Sequence, residues 1–481
     1  MSRPLEAFRA NAREHRASIL VAALSSAFGV ALLAGTGVLA AYVSGSDMAR
    51  HGSVRIALTV VAGVFFVVAV YVGAIVTTNT FSTIIAGRTR TIALLRLLGS
   101  SSRAQRRAVA NEGLMVGLFG GVAGAVVAAA AALGAVRILV AAGVLPDAQY
   151  PVITPSLIAP VTVVVLTTWL ASWVGSRRVL SVSPVEALGA AEERPAEAVR
   201  RPGRVAAATV LIGVGAVLLL AGLLIGMGIL AQGPAPLSEL SHFGVLIALP
   251  GGILSFTGII LAAPLFLPAV LRGVGLLLGR SAPARLAAAN ALRNPERSAR
   301  TAIGLVIGVT LVTMFVVAAE SYLQMIRSAS QEYPGLYAGA ERILTVTMVV
   351  FSVLIGSSAI IAAVGVINSL SLSVLQRRRE LGLLRALGFS SRQVRAMILA
   401  ESAQLTVAAV VTGLVLGTGY GWIGAQALLG SIPGGGLLVP SLPWPFLAGV
   451  AAASALLAVV AAVAPTRRAT AVPPVVALAI E

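Results

Sequence analysis

Ten stretches of the chain are apolar for long enough to cross a bilayer, and the polar residues gather between them. They lie at about residues 18–43, 56–80, 114–142, 153–174, 206–230, 245–270, 302–319, 343–372, 403–429 and 444–463. Each is close to or above the ~20 residues that a helix needs to cross about 30 Å of hydrocarbon. A bilayer core offers no water to unpaired backbone groups, so such runs are expected to be helices. The first is preceded by a basic, helix-capable lead with Arg3, Arg9, Arg13 and Arg16. It exceeds the ~7 to 15 apolar residues of a secretory leader, which predicts a spanning helix and not a cleaved signal. Glycines crowd into several spans, among them Gly117, Gly120, Gly121, Gly124, Gly413, Gly417 and Gly421, a pattern that predicts close helix approach.

One polar interval occurs twice. Residues 88–103 (RTRTIALLRLLGSSSR) align with residues 377–392 (RRRELGLLRALGFSSR) with ten of sixteen positions identical, and Glu112 falls on Glu401. Such self-similarity marks a duplicated building block. Each copy reads as a short helix, a break at Gly99 or Gly388, and a new helix start. Glycine suits the left-handed position that closes a helix. Ser102 with Gln105, and Ser390 with Gln393, have the spacing of a capping box. In the short helix Leu94, Leu95 and Leu98 lie to one side of Arg88 and Arg96, and Leu383, Leu384 and Leu387 lie similarly to Arg378 and Arg385. A helix of this kind can rest at a membrane surface.

The segment from Gln376 to Gly388 resembles the cytoplasmic loop of the FtsX-like permeases, membrane subunits of ABC transporters, whose pattern is Q-R-R-x-E-[LIF]-[AG]-x-[LM]-[KR]-A-[LIM]-G. The first copy departs from it, with Gly87 where Gln376 stands and Thr91 where Glu380 stands. Each copy is followed two spans later by a similar tail, Arg177-Arg178 with Pro184 and Leu188 against Arg467-Arg468 with Pro474 and Leu478. Residues 288–301 also resemble the family's amphipathic lead into a repeat, and residues 10–18 do so more weakly. Outer loops are short; the one at residues 320–341 holds about twenty residues, where permeases of the bacitracin-export type carry a large extracellular domain.

Charge orients the chain. With alternate loops assigned to opposite sides, thirty arginines fall on the side of both termini, while only Arg50, Arg55, Arg137, Arg327 and Arg342 fall on the other. The positive-inside rule then makes both termini cytoplasmic. Six spans separate the starts of the two copies, an even number, so the copies enter the membrane in the same direction and a pseudo-two-fold axis along the membrane normal relates them. The expected architecture is an all-α polytopic membrane protein of ten transmembrane helices. Residues 1–188 form the first four-helix repeat, 189–204 a charged cytoplasmic linker, 205–280 two linking helices, and 281–481 the second four-helix repeat.

Composition narrows the function classes. The chain is 58% hydrophobic and 11% charged, and its mean hydropathy of +0.96 excludes an ordinary water-soluble globule. All 35 basic residues are Arg. A Walker A loop needs a lysine on the phosphates, so the chain holds no standard P-loop, and ATP and Mg would belong to a separate subunit. The high pI of 11.6 is explained by arginines that set topology, and no nucleic-acid partner is assigned. The chain has no Cys and its three histidines, His15, His51 and His242, are scattered, so no disulfide, thiolate site or metal site is expected. All seventeen acidic residues sit in loops, tails or span ends, which counts against an ion-coupled carrier, and no catalytic constellation suggests an enzyme.

The resemblance implies that the two amphipathic loops are coupling helices seated in clefts of a cytoplasmic ABC ATPase, two copies of it per permease. Candidate coupling residues are Arg88, Arg90 and Arg96 in the first loop and Gln376, Arg377, Arg378, Arg379, Glu380 and Arg385 in the second, with Gly99 and Gly388 as the structural breaks. Anchoring to anionic membrane lipid would explain the arginines but not Gln376 or Glu380. Glu112 and Glu401 are expected near helix N-termini, where the dipole favours them. The implied function is an ATP-driven exporter in a bacterial cell membrane, acting by mechanical transmission on an amphiphilic antibiotic, peptide or lipid. The alternative is a signalling module that moves no cargo and activates a cell-wall hydrolase or a sensor kinase, with an external accessory protein as a further partner.

Overall fold

The computed structural model describes residues 2–44, 98–143, 145–176, 202–229, 244–277, 295–332, 378–430 and 442–471, with scattered single positions elsewhere. Every regular element among them is helical. In chain order these are α1 (Ser2–Ser44), α2 (Ser102–Ala141), a single 3-10 turn (Pro155–Leu157) running into α3 (Ile158–Gly175), α4 (Pro202–Gly226), α5 (Gly244–Leu277), α6 (Pro295–Glu332), α7 (Arg378–Ala386), α8 (Ser391–Leu429) and α9 (Trp444–Ala471).

Seven of these helices are long and apolar enough to cross a membrane: α1 to α6 and α8. They correspond to the expected spans at 18–43, 114–142, 153–174, 206–230, 245–270, 302–319 and 403–429. The spans expected at 56–80 and 343–372 lie outside the described residues, apart from scattered positions. The one at 444–463 falls in α9, whose described apolar part, Trp444–Leu457, is shorter than a span. The linker expected at 189–204 gives up its last three residues to α4, because Pro202 starts that helix and proline is preorganised for the first helical position.

Several helices outrun the bilayer. With 40 residues in α2, 38 in α6 and 39 in α8, each is about 60 Å long, twice the hydrocarbon thickness. The outer loop expected at 320–341 is therefore corrected over its first part: α6 continues as helix to Glu332. It can do so because Met325 and Ala329, on one helical stripe, are wholly buried past the end of the apolar run.

The helices pack in two comparable groups. In one, α1 rests on α2 and α3, and α2 on α3; in the other, α6 rests on α8 and α9, and α8 on α9. Small residues let the backbones close in. Gly120 and Gly124 of α2 lie against Ile19 and Ala23 of α1, while Gly117 and Gly121 on its other side face Val165 and Val161 of α3. Gly413, Gly417 and Gly421 of α8 face Val309, Thr310 and Met314 of α6. At the first seam the Ser26 hydroxyl donates to the Gly121 carbonyl at 2.7 Å.

The hairpin of α4 and α5 packs against α8, and α5 also against α6. Gly215 approaches Ser255, and Gly222 approaches Gly244 and Ala248, along its seam. The Arg204 Nε donates to the Leu261 carbonyl at 3.2 Å, tying the start of α4 to α5. The main core forms where α1, α5, α6 and α8 meet, around Phe28, Leu32, Leu267, Leu271, Ile307 and Phe315. The rings of Phe28 and Phe315 stand 6.2 Å apart.

Candidate functional site

The short helix α7 is built to stop and turn. Glu380 occupies its first turn and Arg385 its last, each the sign that the helix dipole favours at that end. Gly388 then adopts φ +101°, a left-handed conformation that a Cβ would strain. Around it the Phe389 amide donates to the Leu384 carbonyl at 3.0 Å and the Gly388 amide to the Arg385 carbonyl at 3.1 Å. These two bonds define a Schellman closure, and its hydrophobic clasp is present as well. Leu384 and Phe389 both pack onto Val394, Met397 and Ile398 of α8.

The next helix begins at once. The Gln393 amide donates to the Ser390 hydroxyl at 3.2 Å, and the Ser390 amide to Gln393 Oε1 at 2.9 Å, a complete capping box. The bend from α7 to α8 is thus fastened by four hydrogen bonds and an apolar clasp.

The leucines of α7 do not act together. Leu384 is turned inward, whereas Leu383 is 52% exposed and Leu387 is 71% exposed, one helical turn apart beside exposed Glu380. The same spacing recurs in the first loop, where Leu94 is 46% exposed and Leu98 is 83% exposed. Sequence reasoning named these leucines as the apolar side of each short helix but weighted the charges when choosing candidates, although the recurrence of the pairs four apart in both copies was a legible signal. Of the other candidates, Arg378 and Arg379 open α7, and Arg385 is half-buried in its last turn. Arg88, Arg90, Arg96, Gln376 and Arg377 lie outside the described residues.

The first loop closes differently. Gly99 has φ +93°, matching Gly388. The helix cap, however, is Ser101 and not Ser102: its hydroxyl accepts from the Ala104 amide at 3.2 Å. Gln105 instead donates to the Ser100 hydroxyl at 2.9 Å. The expected pairing of Ser102 with Gln105 was one residue out of register with Ser390 and Gln393; the true counterparts are Ser101 and Ala104, and Ala104 has no side chain to complete the box. Ser100 likewise occupies the place of Phe389, so the clasping ring is absent here. A different contact steadies this helix start, with Arg106 5.0 Å over the Trp173 ring and its Nε donating to the Ser176 hydroxyl at 3.3 Å.

Glu112 and Glu401 are not at helix N-termini. Each is the eleventh residue of its helix, beyond the single turn over which the dipole acts, and neither helix has an acidic residue in its first turn. Glu401 is only 7% exposed, and three residues on the buried Gln404 donates from Nε2 to the Leu271 carbonyl at 2.6 Å, joining α8 to α5. A push delivered to α7 therefore meets a continuous set of contacts through Leu384 and Phe389 to α8, and from α8 to α5 and α6.

The family described as FtsX-like permease C-terminal matches at residues 63–184 and again at 352–474, together about half of the chain. The chain is 31% identical over 145 residues to the ABC transporter permease YknZ of Bacillus subtilis (strain 168), covering 30% of this chain and 34% of that protein. It is 32% identical over 111 residues to the ABC transporter permease MJ1507 of Methanocaldococcus jannaschii, covering 23% and 27%. A third relative, the ABC transporter permease YtrF of Bacillus subtilis (strain 168), is 32% identical over 66 residues, covering 14% and 15%. The chain thus spans about a third or less of the length of these curated relatives.

Proposed function

Because this multi-pass membrane protein belongs to the FtsX-like permease family, we propose that it is the membrane subunit of an ATP-driven ABC exporter that works by mechanical transmission. The observation that carries the reading is the exposed pair Leu383 and Leu387 beside Glu380, on a helix clasped rigidly to α8. Two exposed leucines a turn apart are unfavourable in water and serve as anchors once a partner covers them. The partner is a cytoplasmic ABC ATPase, two copies per permease, which supplies ATP and Mg; this chain, without lysine, contributes no P-loop.

The full architecture in this reading has ten spans, both termini cytoplasmic, and two parallel four-helix repeats joined by α4 and α5. The double family match and the like packing of α1, α2 and α3 and of α6, α8 and α9 support it. The candidate arginines of both loops, with Gln376, Glu380 and Arg385, dress the rim around the leucine anchors. ATP-driven closure of the ATPase pair pushes both loops, and the long helices carry the movement to the outer leaflet, where an amphiphilic cargo is displaced.

The test is co-purification with the ABC ATPase from native membranes. The chain alone should hydrolyse no ATP, the complex should hydrolyse it, and Leu383→Ser with Leu387→Ser should release the ATPase while the permease still folds. Turnover by the pure chain, or an unweakened complex of the double variant, overturns the assignment.

A further inference from the structure

Between the α4–α5 hairpin and the pair α6 and α8 lies a cavity of about 170 Å³, whose wall also includes the described positions of residues 64–71. Its character is set by rings and hydroxyls. Phe256 stands edge-to-face between Tyr71 and Tyr420, with centroids 6.4 Å and 5.9 Å away. The Tyr71 hydroxyl is 2.7 Å from Thr257 Oγ1 and 3.1 Å from the Ile253 carbonyl, and the Tyr420 hydroxyl is 2.9 Å from Ser255 Oγ. Both phenols are thus engaged with α5, and among the described residues no charged residue lines the space. Among the described residues of the wall, the buried Thr310 hydroxyl is a side-chain polar group without a hydrogen-bond partner.

We infer that this cavity is a binding site for one acyl chain of a membrane lipid. The volume is enough for a segment of aliphatic chain and too small for a macrocycle. A charged headgroup or a peptide backbone entering it would lose its water and find only a few hydroxyls among the described residues, most of them already engaged with α5, to compensate. A hydrocarbon chain loses nothing on moving there from the bilayer, and it restores the dispersion contacts that an empty space forfeits. Lipid surrounds the protein at very high local concentration, so of all apolar molecules it reaches the site first. The backbone makes room for it: a Cβ built at Gly424 meets nothing within 4 Å, and one at Gly252 meets only the Leu219 Cδ2 at 3.9 Å.

This deepens the exporter reading and rests on it in one respect, that a cargo with an acyl tail would be drawn from the membrane along the α4–α5 hairpin. The walls reach the ends of α4, α5 and α8 that the proposed topology places in the outer leaflet, so the chain is one of that leaflet.

The experiment is photolabelling of the full chain in nanodiscs of phosphatidylglycerol and phosphatidylethanolamine. They would be doped with a phosphatidylcholine that carries a diazirine midway along one acyl chain. Peptide mapping should find adducts at Phe256 or Met314 in the wall and at the exposed valines of α4, Val210, Val214 and Val217. Gly424→Phe should lower the wall adducts roughly tenfold by filling the space, and the valine adducts should hold, reporting that the fold is intact. Gly252→Leu is the second, milder filling and should act in the same direction. Wall adducts that are absent in the wild-type chain, or unchanged in both variants, overturn the site. Labelling of the wall by adamantyl diazirine but not by the lipid also overturns it, in favour of a small apolar compound. Because labelling needs neither ATPase nor transport, its failure leaves the exporter reading standing, and a failed transport assay leaves the lipid site standing.

Discussion

At the level of single residues, Gly388 shows how much one backbone conformation carries. Its φ of +101° is what lets Phe389 fold back onto Val394, Met397 and Ile398. Placing a Cβ in that conformation costs about 1 to 2 kcal/mol, and nothing nearby would relieve it. Gly388→Ala is expected to lower the thermal midpoint of the purified chain, whereas Gly134→Ala, inside a helix with open space around its Cβ, should leave it unchanged or raise it. Equal midpoints for the two would show that the turn tolerates another conformation. Glu380 is a different kind of residue: it is exposed in the first turn of α7, and the proposed function sets it at the rim of the ATPase cleft. At a rim, one charge pair is worth about 1 kcal/mol at most, or roughly a five-fold change in affinity. Glu380→Ala should weaken coupled ATPase activity by about that factor, and Thr91→Ala, which has no charge to strand, should leave it close to wild type at equal expression. Equal effects of the two substitutions would remove the argument that the second loop bears more of the load.

At the level of helices, the glycine stripes are the structural requirement. Gly124 of α2 sits against the Ala23 backbone, and backbone cannot swing aside as a flexible side chain can. Gly124→Val must therefore part α1 from α2 and break the neighbouring bond from Ser26 to Gly121, a disturbance of about 1 to 3 kcal/mol by the usual cost of overpacking. Gly134→Val on the same helix, where a Cβ meets nothing, should cost only the smaller loss of helix propensity. Thermal size-exclusion of the two variants in detergent tests this, and a Gly124 variant as stable as the Gly134 variant would count against close packing there. Seven of the ten expected spans are met by long apolar helices among the described residues, and they were legible because a bilayer demands about twenty apolar residues in a row and little else has that signature. The extension of α6 to Glu332 was not, since beyond the bilayer the helix depends on a narrow stripe with Met325 and Ala329 that hydropathy averages away. Nor was the capping register: three serines in a row, Ser100, Ser101 and Ser102, offer equally plausible caps until the turn at Gly99 selects one.

At the level of the whole molecule, duplication and asymmetry are superimposed. Both loops break at a left-handed glycine and expose leucines one turn apart, but only the second has the phenylalanine clasp and the complete capping box. The α4–α5 hairpin adds to this, since it leans on α8 and α6. Burial was the part of this picture the sequence hid most fully: Glu401 reads as a residue at a span edge, and only the packing of α8 against its neighbours encloses it. The proposed orientation, by contrast, rests on charge alone. With the ten expected spans, thirty of the 35 arginines fall in the same set of alternate loops, and holding that many guanidinium groups on the far side of an energised membrane would be strongly unfavourable. The absence of Cys makes the consequence directly measurable, because a single introduced thiol is then the only one present. A thiol at Ser238, in the interval between α4 and α5, should react with a membrane-impermeant maleimide added to intact cells. One at Ala191, in the charged interval before α4, should react only after the membrane is permeabilised. The reverse pattern would place the termini and both leucine-bearing loops outside, beyond reach of any cytoplasmic ATPase, and the mechanical reading of α7 would fall with the topology.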